Sequence, residues 1–173
     1  DVGYRVYRAE PWLGRFGWLK RKLADEFLAH APQVGLRVDI STEPSDTLLG
    51  MEWYRFLLNC KYTIGVEGGS SILDHNGEVK KCTNDYLVTH PEATFEQVEQ
   101  ACFAGRDGSL QLQVLSPRHL EACATKTCQV LVEGQYNGIL KPHTHYIPLR
   151  RDFSNLEEVI ELMRQDRVRE QIV

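Results

Sequence analysis

Short runs of β-branched and aromatic residues alternate along the chain with longer stretches whose apolar residues recur at helical spacing. Alternation of this kind marks βα units feeding a mainly parallel sheet. The short runs predict strands over 3–8, 36–40, 62–66, 110–115, 128–132 and 146–149. Their core members carry Val, Ile and Leu in near-continuous order, as a sheet covered on both faces requires. Helical periodicity places helices over 14–30, 47–59, 94–103, 117–125 and 154–165. Two of these starts carry capping-box chemistry, Thr94 with Gln97 and Ser154 with Glu157, and a third has Ser116 before Pro117. The stretch 73–91 is polar, holds an Asn76-Gly77 turn signal, and reads as a long excursion between core units. The fold class that follows is α/β, a Rossmann-like three-layer sandwich with a mainly parallel sheet, formed by one domain over 1–173.

Composition narrows the picture. With 173 residues, 42% of them hydrophobic and 25% charged, the chain can bury a substantial core. A net charge of −4 argues against sequence-independent nucleic-acid binding, which needs clustered cationic excess. No apolar run approaches the roughly 20 residues of a membrane-spanning helix, so no integral membrane segment is expected. The chain opens at Asp1 directly into a strand pattern, and an N-terminal partner domain is expected before it. Cys60, Cys82, Cys102, Cys123 and Cys128 are odd in number and scattered, and no CxxC pair occurs. Unpaired thiols in a reducing cytosol are the expectation.

Three constellations could carry chemistry. The strand 62–66 runs into Glu67-Gly68-Gly69-Ser70-Ser71, small residues at the carboxyl edge where open α/β sheets bind ligands. Backbone N–H groups and serine hydroxyls there could hold an anion; the plain alternative is a solvated tight turn. The second is Ser116-Pro117-Arg118-His119-Leu120-Glu121, a helix start whose dipole, free N–H groups and Arg118 suit a phosphate. Glu121, one turn on, could accept from ribose hydroxyls, or simply complement the helix dipole. The third is Arg5 with Arg15 and Lys20, cations that could converge on a diphosphate without a metal; solvated surface charges are the alternative. No metal or other cofactor is expected: His143 and His145 lack a third ligand nearby, and no DxD triplet, Walker loop or GxGxxG occurs. Cys123, four residues from His119, reads as packing rather than as a nucleophile.

The segment 116–163, SPRHLEACATKTCQVLVEGQYNGILKPHTHYIPLRRDFSNLEEVIELM, resembles the C-terminal donor-binding domain of GT-B glycosyltransferases. More narrowly, the R-x-x-E-A helix and the P-x-x-H-Y-I-P-L-x-x-D segment resemble a bacterial group associated with surface-polysaccharide biosynthesis. The opening Gly3-Tyr4-Arg5, Lys20 and the middle WYRFLLNCKYTIGVEGGSSILD fit the same group. The resemblance implies that Arg5 and Lys20 grip a donor diphosphate and that Glu121 holds the ribose. Glu67, Gly68, Gly69, Ser70, Ser116, Arg118 and His119 would complete the donor site. An E-x7-E pattern common in such enzymes is incomplete, since position 113 is Gln113. The implied reaction is attack of an acceptor hydroxyl on the anomeric carbon of a nucleotide-diphosphate sugar. A glycan or lipid-linked acceptor would be held by the N-terminal domain, at the cytoplasmic face of the inner membrane. A non-catalytic nucleotide- or protein-binding module and a sugar-nucleotide epimerase-like domain are the alternatives.

Overall fold

The computed structural model describes residues 1–7 and 9–173. Five strands form one parallel sheet: β1 (Val2–Arg5), β2 (Val38–Ser41), β3 (Tyr62–Gly65), β6 (Cys128–Val132) and β7 (Ile147–Leu149). Their spatial order is β2-β1-β3-β6-β7, all neighbours parallel. Between β3 and β6 the chain makes a separate antiparallel ribbon from β4 (Gly68–Ser70) and β5 (Leu112–Val114). The helices are α1 (Gly14–His30), α2 (Met51–Leu58), α3 (Glu78–Thr89), α4 (Phe95–Cys102), α5 (Pro117–Ala124), α6 (Leu156–Met163) and α7 (Asp166–Ile172).

Strand alternation decides which helices cover which face. Val2, Tyr4, Tyr62, Ile64, Val130 and Leu149 point to one side, where Leu23, Ala24 and Phe27 of α1 and Val159, Ile160 and Met163 of α6 complete the main core. On the opposite face Gly3 leaves room for Phe56 of α2, and Thr127 ties its hydroxyl to the Leu57 carbonyl at 2.9 Å. His119 and Ala122 of α5 are buried on that side too. The three-layer α/β arrangement is therefore present. A second cluster, Ile72, Val79, Phe95, Val98 and Phe103, packs the α3–α4 pair against Trp12 and Trp18.

Five expectations are corrected. The strand over 110–115 lies outside the parallel sheet: β5 pairs only with β4, and Leu112 and Val114 are 53% and 46% exposed. Its Leu-Gln-Leu-Gln-Val alternation belongs to a ribbon with one open face rather than to a doubly covered strand. The stretch 73–91 is largely α3, whose start is held by Asp74 accepting from Val79 and Lys80 N–H groups at 3.1 and 2.9 Å. The helix expected over 47–59 begins at Met51, after a separate turn at Pro44–Asp46. The Ser154–Glu157 box does not form: Asn155 takes the cap position and the helix starts at Leu156. The box at Thr94 does form, and Ser116 takes the cap position before Pro117 as expected. The expected strand 3–8 is shorter, and its last residue, Arg8, lies outside the described residues.

The expectation of unpaired thiols is corrected for one pair. Cys82 of α3 and Cys102 at the end of α4 form a disulfide with Cα atoms 5.5 Å apart, while Cys60, Cys123 and Cys128 are free. The cross-link closes a loop of 20 residues around the second cluster. Reducing it is expected to speed amide hydrogen exchange in α3 and α4 and leave β3 and β6 protected. Exchange mass spectrometry with and without a dithiol reductant checks this. No helix among the described residues is long and apolar enough to cross a membrane.

Candidate functional site

In a parallel sheet of this order, β1 sends its connection to one side and β3 to the other, so a crevice opens at their carboxyl ends. Here the crevice is deepened by splaying. β1 and β3 pair only through Val2 with Tyr62 and Gly3 with Thr63, whereas β1 stays paired to β2 as far as Arg5, and β3 to β6 as far as Gly65. Beyond the last β1–β3 pair lies a cleft of about 430 Å³, a volume ordinary for small-molecule sites. Tyr4, Val6 and Ile64 form its strand walls, Trp53 of α2 and His119 of α5 one flank, and Trp12 and Leu13 the other.

Two cations face this cleft, Lys20 from α1 and Arg118 from the first turn of α5. Neither has a carboxylate within ion-pair distance among the described residues. Among the described residues Lys20 Nζ reaches only the Gly69 carbonyl, at 3.5 Å. Burial, and after it the nearby Arg118 charge, lowers the Lys20 ammonium from the ordinary lysine value. Arg118 donates to the Arg5 carbonyl and lays its guanidinium over the Trp53 ring, 4.9 Å from the centroid. Like charges facing one partly desolvated cleft repel each other, and an anion between them relieves that cost.

The sequence-predicted residues separate into three groups. Lys20, Glu67, Gly68, Ser116, Arg118 and His119 all line the cleft. Glu121 lies next door, in a shallower groove of about 380 Å³ with Leu48, Gly50, Trp53, Tyr54 and Arg118. Its Oε2 accepts from Trp53 Nε1 at 2.7 Å, so Trp53 stands between groove and cleft. Arg5, Gly69 and Ser70 are not part of the cleft lining. Arg5 pairs with Asp39 at 2.6 Å and stacks on Phe56. Ser70 Oγ lies 2.6 Å from the Ile72 carbonyl and 3.0 Å from that of Leu13, and Ser71 donates to Asp107 at 2.5 Å. Arg15 is drawn to Glu96, Glu99 and Asp107. The three-cation cluster of Arg5, Arg15 and Lys20 therefore does not assemble, and Arg118 is the residue that joins Lys20.

Glu67 and His119 hold the walls. Glu67, 2% exposed, accepts from the Tyr136 N–H at 2.7 Å, and Gly134 passes so close that a Cβ there would strike the Glu67 carboxylate. The loop after β6 is thereby fixed, and its Asn137 accepts from Leu115 N–H at 2.6 Å, just before α5. His119, 4% exposed, accepts the Ser116 N–H on Nδ1 at 3.1 Å and meets Tyr136 edge-on. Burial pushes its pKa down to about 4, against the raising effect of its backbone hydrogen bonds to Val66 and Ser116. The expectation of free N–H groups at this helix start is corrected. Ser116 N–H is taken by His119, Arg118 N–H points to Ser116 Oγ at 3.4 Å, and Pro117 has no N–H. What remains for an anion is the helix dipole and the Arg118 guanidinium.

Sequence reasoning missed Trp12 and Trp53, the aromatic walls, and Thr63 and Gln129 on the strands beneath. The last two had a signal: each is a polar residue inside an otherwise apolar strand. Among the described residues no group of three or more His, Cys, Asp or Glu could hold a metal ion. No family model matches the chain, and no curated protein matches it significantly.

Proposed function

We propose that this chain is the donor-binding domain of a GT-B-type glycosyltransferase that takes a nucleotide-diphosphate sugar. The observation that carries the proposal is the pairing of Lys20 and Arg118, two cations without carboxylate partners, at one sheet-edge cleft. A diphosphate seated between them neutralises both, and Arg118 supplies a planar fork suited to phosphate oxygens. The groove beside Arg118 receives the nucleoside, with Glu121 accepting from the ribose and Trp53 and Tyr54 offering aromatic surface. The sugar then projects into the cleft.

Catalysis by this domain is electrostatic. As the anomeric C–O bond breaks, negative charge grows on the departing diphosphate, and Lys20 and Arg118 stabilise it more strongly than they do the bound donor. The partly buried setting of Lys20 raises the effect, because its charge is screened less than in open water. The acceptor hydroxyl, on a glycan or lipid-linked glycan of a surface polysaccharide, and the base that deprotonates it come from a second domain across the cleft. Such an enzyme works at the cytoplasmic face of the inner membrane, where nucleotide sugars are made.

The test is a calorimetric titration with UDP and GDP of the chain and of Lys20→Ala, Arg118→Ala and Glu121→Ala. Arg118→Ala is expected to weaken binding about tenfold or more, and Glu121→Ala about fivefold, each losing a hydrogen bond to or from a charged group. Arg5→Ala is expected to change affinity little, since Arg5 faces Asp39. Unaltered affinity in both Lys20→Ala and Arg118→Ala would place the nucleotide elsewhere and end the proposal.

A further inference from the structure

We infer that the floor of the cleft recognises an acetamido group, so that the transferred sugar is an N-acetylated aminosugar. This rests on the donor-binding reading of the same cleft. Besides the two cations the cleft is lined by the apolar Tyr4, Ile64, Trp53 and Leu131 and by the polar Glu10, Glu67, Ser116 and His119, with Thr63 and Gln129 on the strands beneath. Those two are direct cross-strand partners on β3 and β6. Gln129 is 2% exposed; its Nε2 lies 3.4 Å from Cys123 Sγ, and its Oε1 has no hydrogen-bond partner among the described residues. Thr63 is 8% exposed. Buried polar atoms are rarely left unpaired unless a ligand or water completes them.

An acetamido group matches this floor in each of its parts. Its N–H meets Gln129 Oε1, its carbonyl accepts from the Thr63 hydroxyl, and its methyl packs on the apolar wall at Leu131. Because the group carries both a donor and an acceptor, the match survives exchange of O and N in the Gln129 amide. A bare sugar hydroxyl can also donate to Gln129 Oε1 and accept from Thr63, but it has no methyl to cover the apolar wall. Gly65 keeps the passage open: a Cβ there would crowd Leu131 at 3.1 Å and His119 at 3.6 Å.

The experiment compares N-acetylglucosamine 1-phosphate with glucose 1-phosphate, and the galacto pair likewise, by NMR titration of the full chain. Inorganic diphosphate serves as the probe of the cations alone. At least one N-acetylated compound is expected to bind about tenfold tighter than its hydroxyl counterpart. In Gln129→Leu and in Thr63→Val, both close in shape to the native residue, that ratio falls toward one while diphosphate affinity is unchanged. Equal binding within both pairs, or a preference that survives both substitutions, overturns the inference and leaves the anion site standing. Failure of diphosphate to bind overturns the donor site itself, and the inference with it.

Discussion

Gly69→Ala is expected to destabilise the protein by about 4 kcal/mol, the range of severe backbone and overpacking lesions. Gly69 sits at φ +129°, a region L side chains rarely adopt, and a Cβ there would overlap the Leu112 carbonyl oxygen of the paired strand. The clash is with backbone, so no rotamer change relieves it. To accommodate a methyl group, β4 must part from β5 at the Gly69–Gln113 pair. That ribbon links the end of β3 to the start of α5, and the Gly69 carbonyl is the one Lys20 reaches. Gly77→Ala is the control. Gly77 also has positive φ, at +74°, but nothing lies within 4 Å of its Cβ position, and the cost there is about 1 to 2 kcal/mol. Urea denaturation measures both. A Gly69→Ala variant within about 1 kcal/mol of the native chain would contradict the β4–β5 pairing.

His119 is expected to make stability fall between pH 6.5 and about 4. Its pKa is about 4 in the folded chain against 6.5 in the unfolded one, because burial opposes the imidazolium. In that window the unfolded state binds the extra proton, so protonation favours unfolding. The stabilisation is complete above pH 6.5 and is lost as pH falls toward 4. A shift of this size corresponds to about 3 kcal/mol across the window. Asp74 and Glu96, whose carboxyls are held below their ordinary values, lose their stabilising contacts at lower pH. The comparison that isolates the imidazole is His119→Gln, since glutamine at this position can still close the capping box with Ser116. Denaturation midpoints from pH 7 to 4 should fall more steeply in the native chain than in His119→Gln. Parallel curves would mean that His119 is not buried neutral.

Particular residues show how far the sequence carried the fold. The runs at Tyr62–Gly65 and Cys128–Val132 were legible as central strands because both faces are covered and apolar residues crowd them. Ser116-Pro117 was legible as a helix start because capping is local chemistry. The ribbon was not, because Gly68 and Gly69 carry no side-chain pattern and β5 alternates like any half-exposed strand. Helix α3 hid for a related reason: Val79 and Thr83 are its only buried residues, too narrow a stripe to stand out from a polar loop.

The site was partly legible for the same physical reasons. Its place at the carboxyl edge follows from topology, and the Glu67-Gly68 turn and the α5 start both reach it. The direction of a side chain does not follow. Arg5 and Lys20 look equivalent as cations in sequence, yet Asp39 claims one while the other is left facing the cleft. The Cys82–Cys102 pairing lies in the same class, since scattered cysteines carry no record of which helices pack together.

Chemical-shift mapping of inorganic diphosphate on the isotopically labelled chain tests the central claim most directly. Saturable shifts confined to Lys20, Gly68 and the stretch 116–119, lost together in the Lys20→Ala, Arg118→Ala double variant, are the predicted result. No saturable shift at millimolar diphosphate, or shifts centred on Arg5 and Arg15 instead, would contradict it.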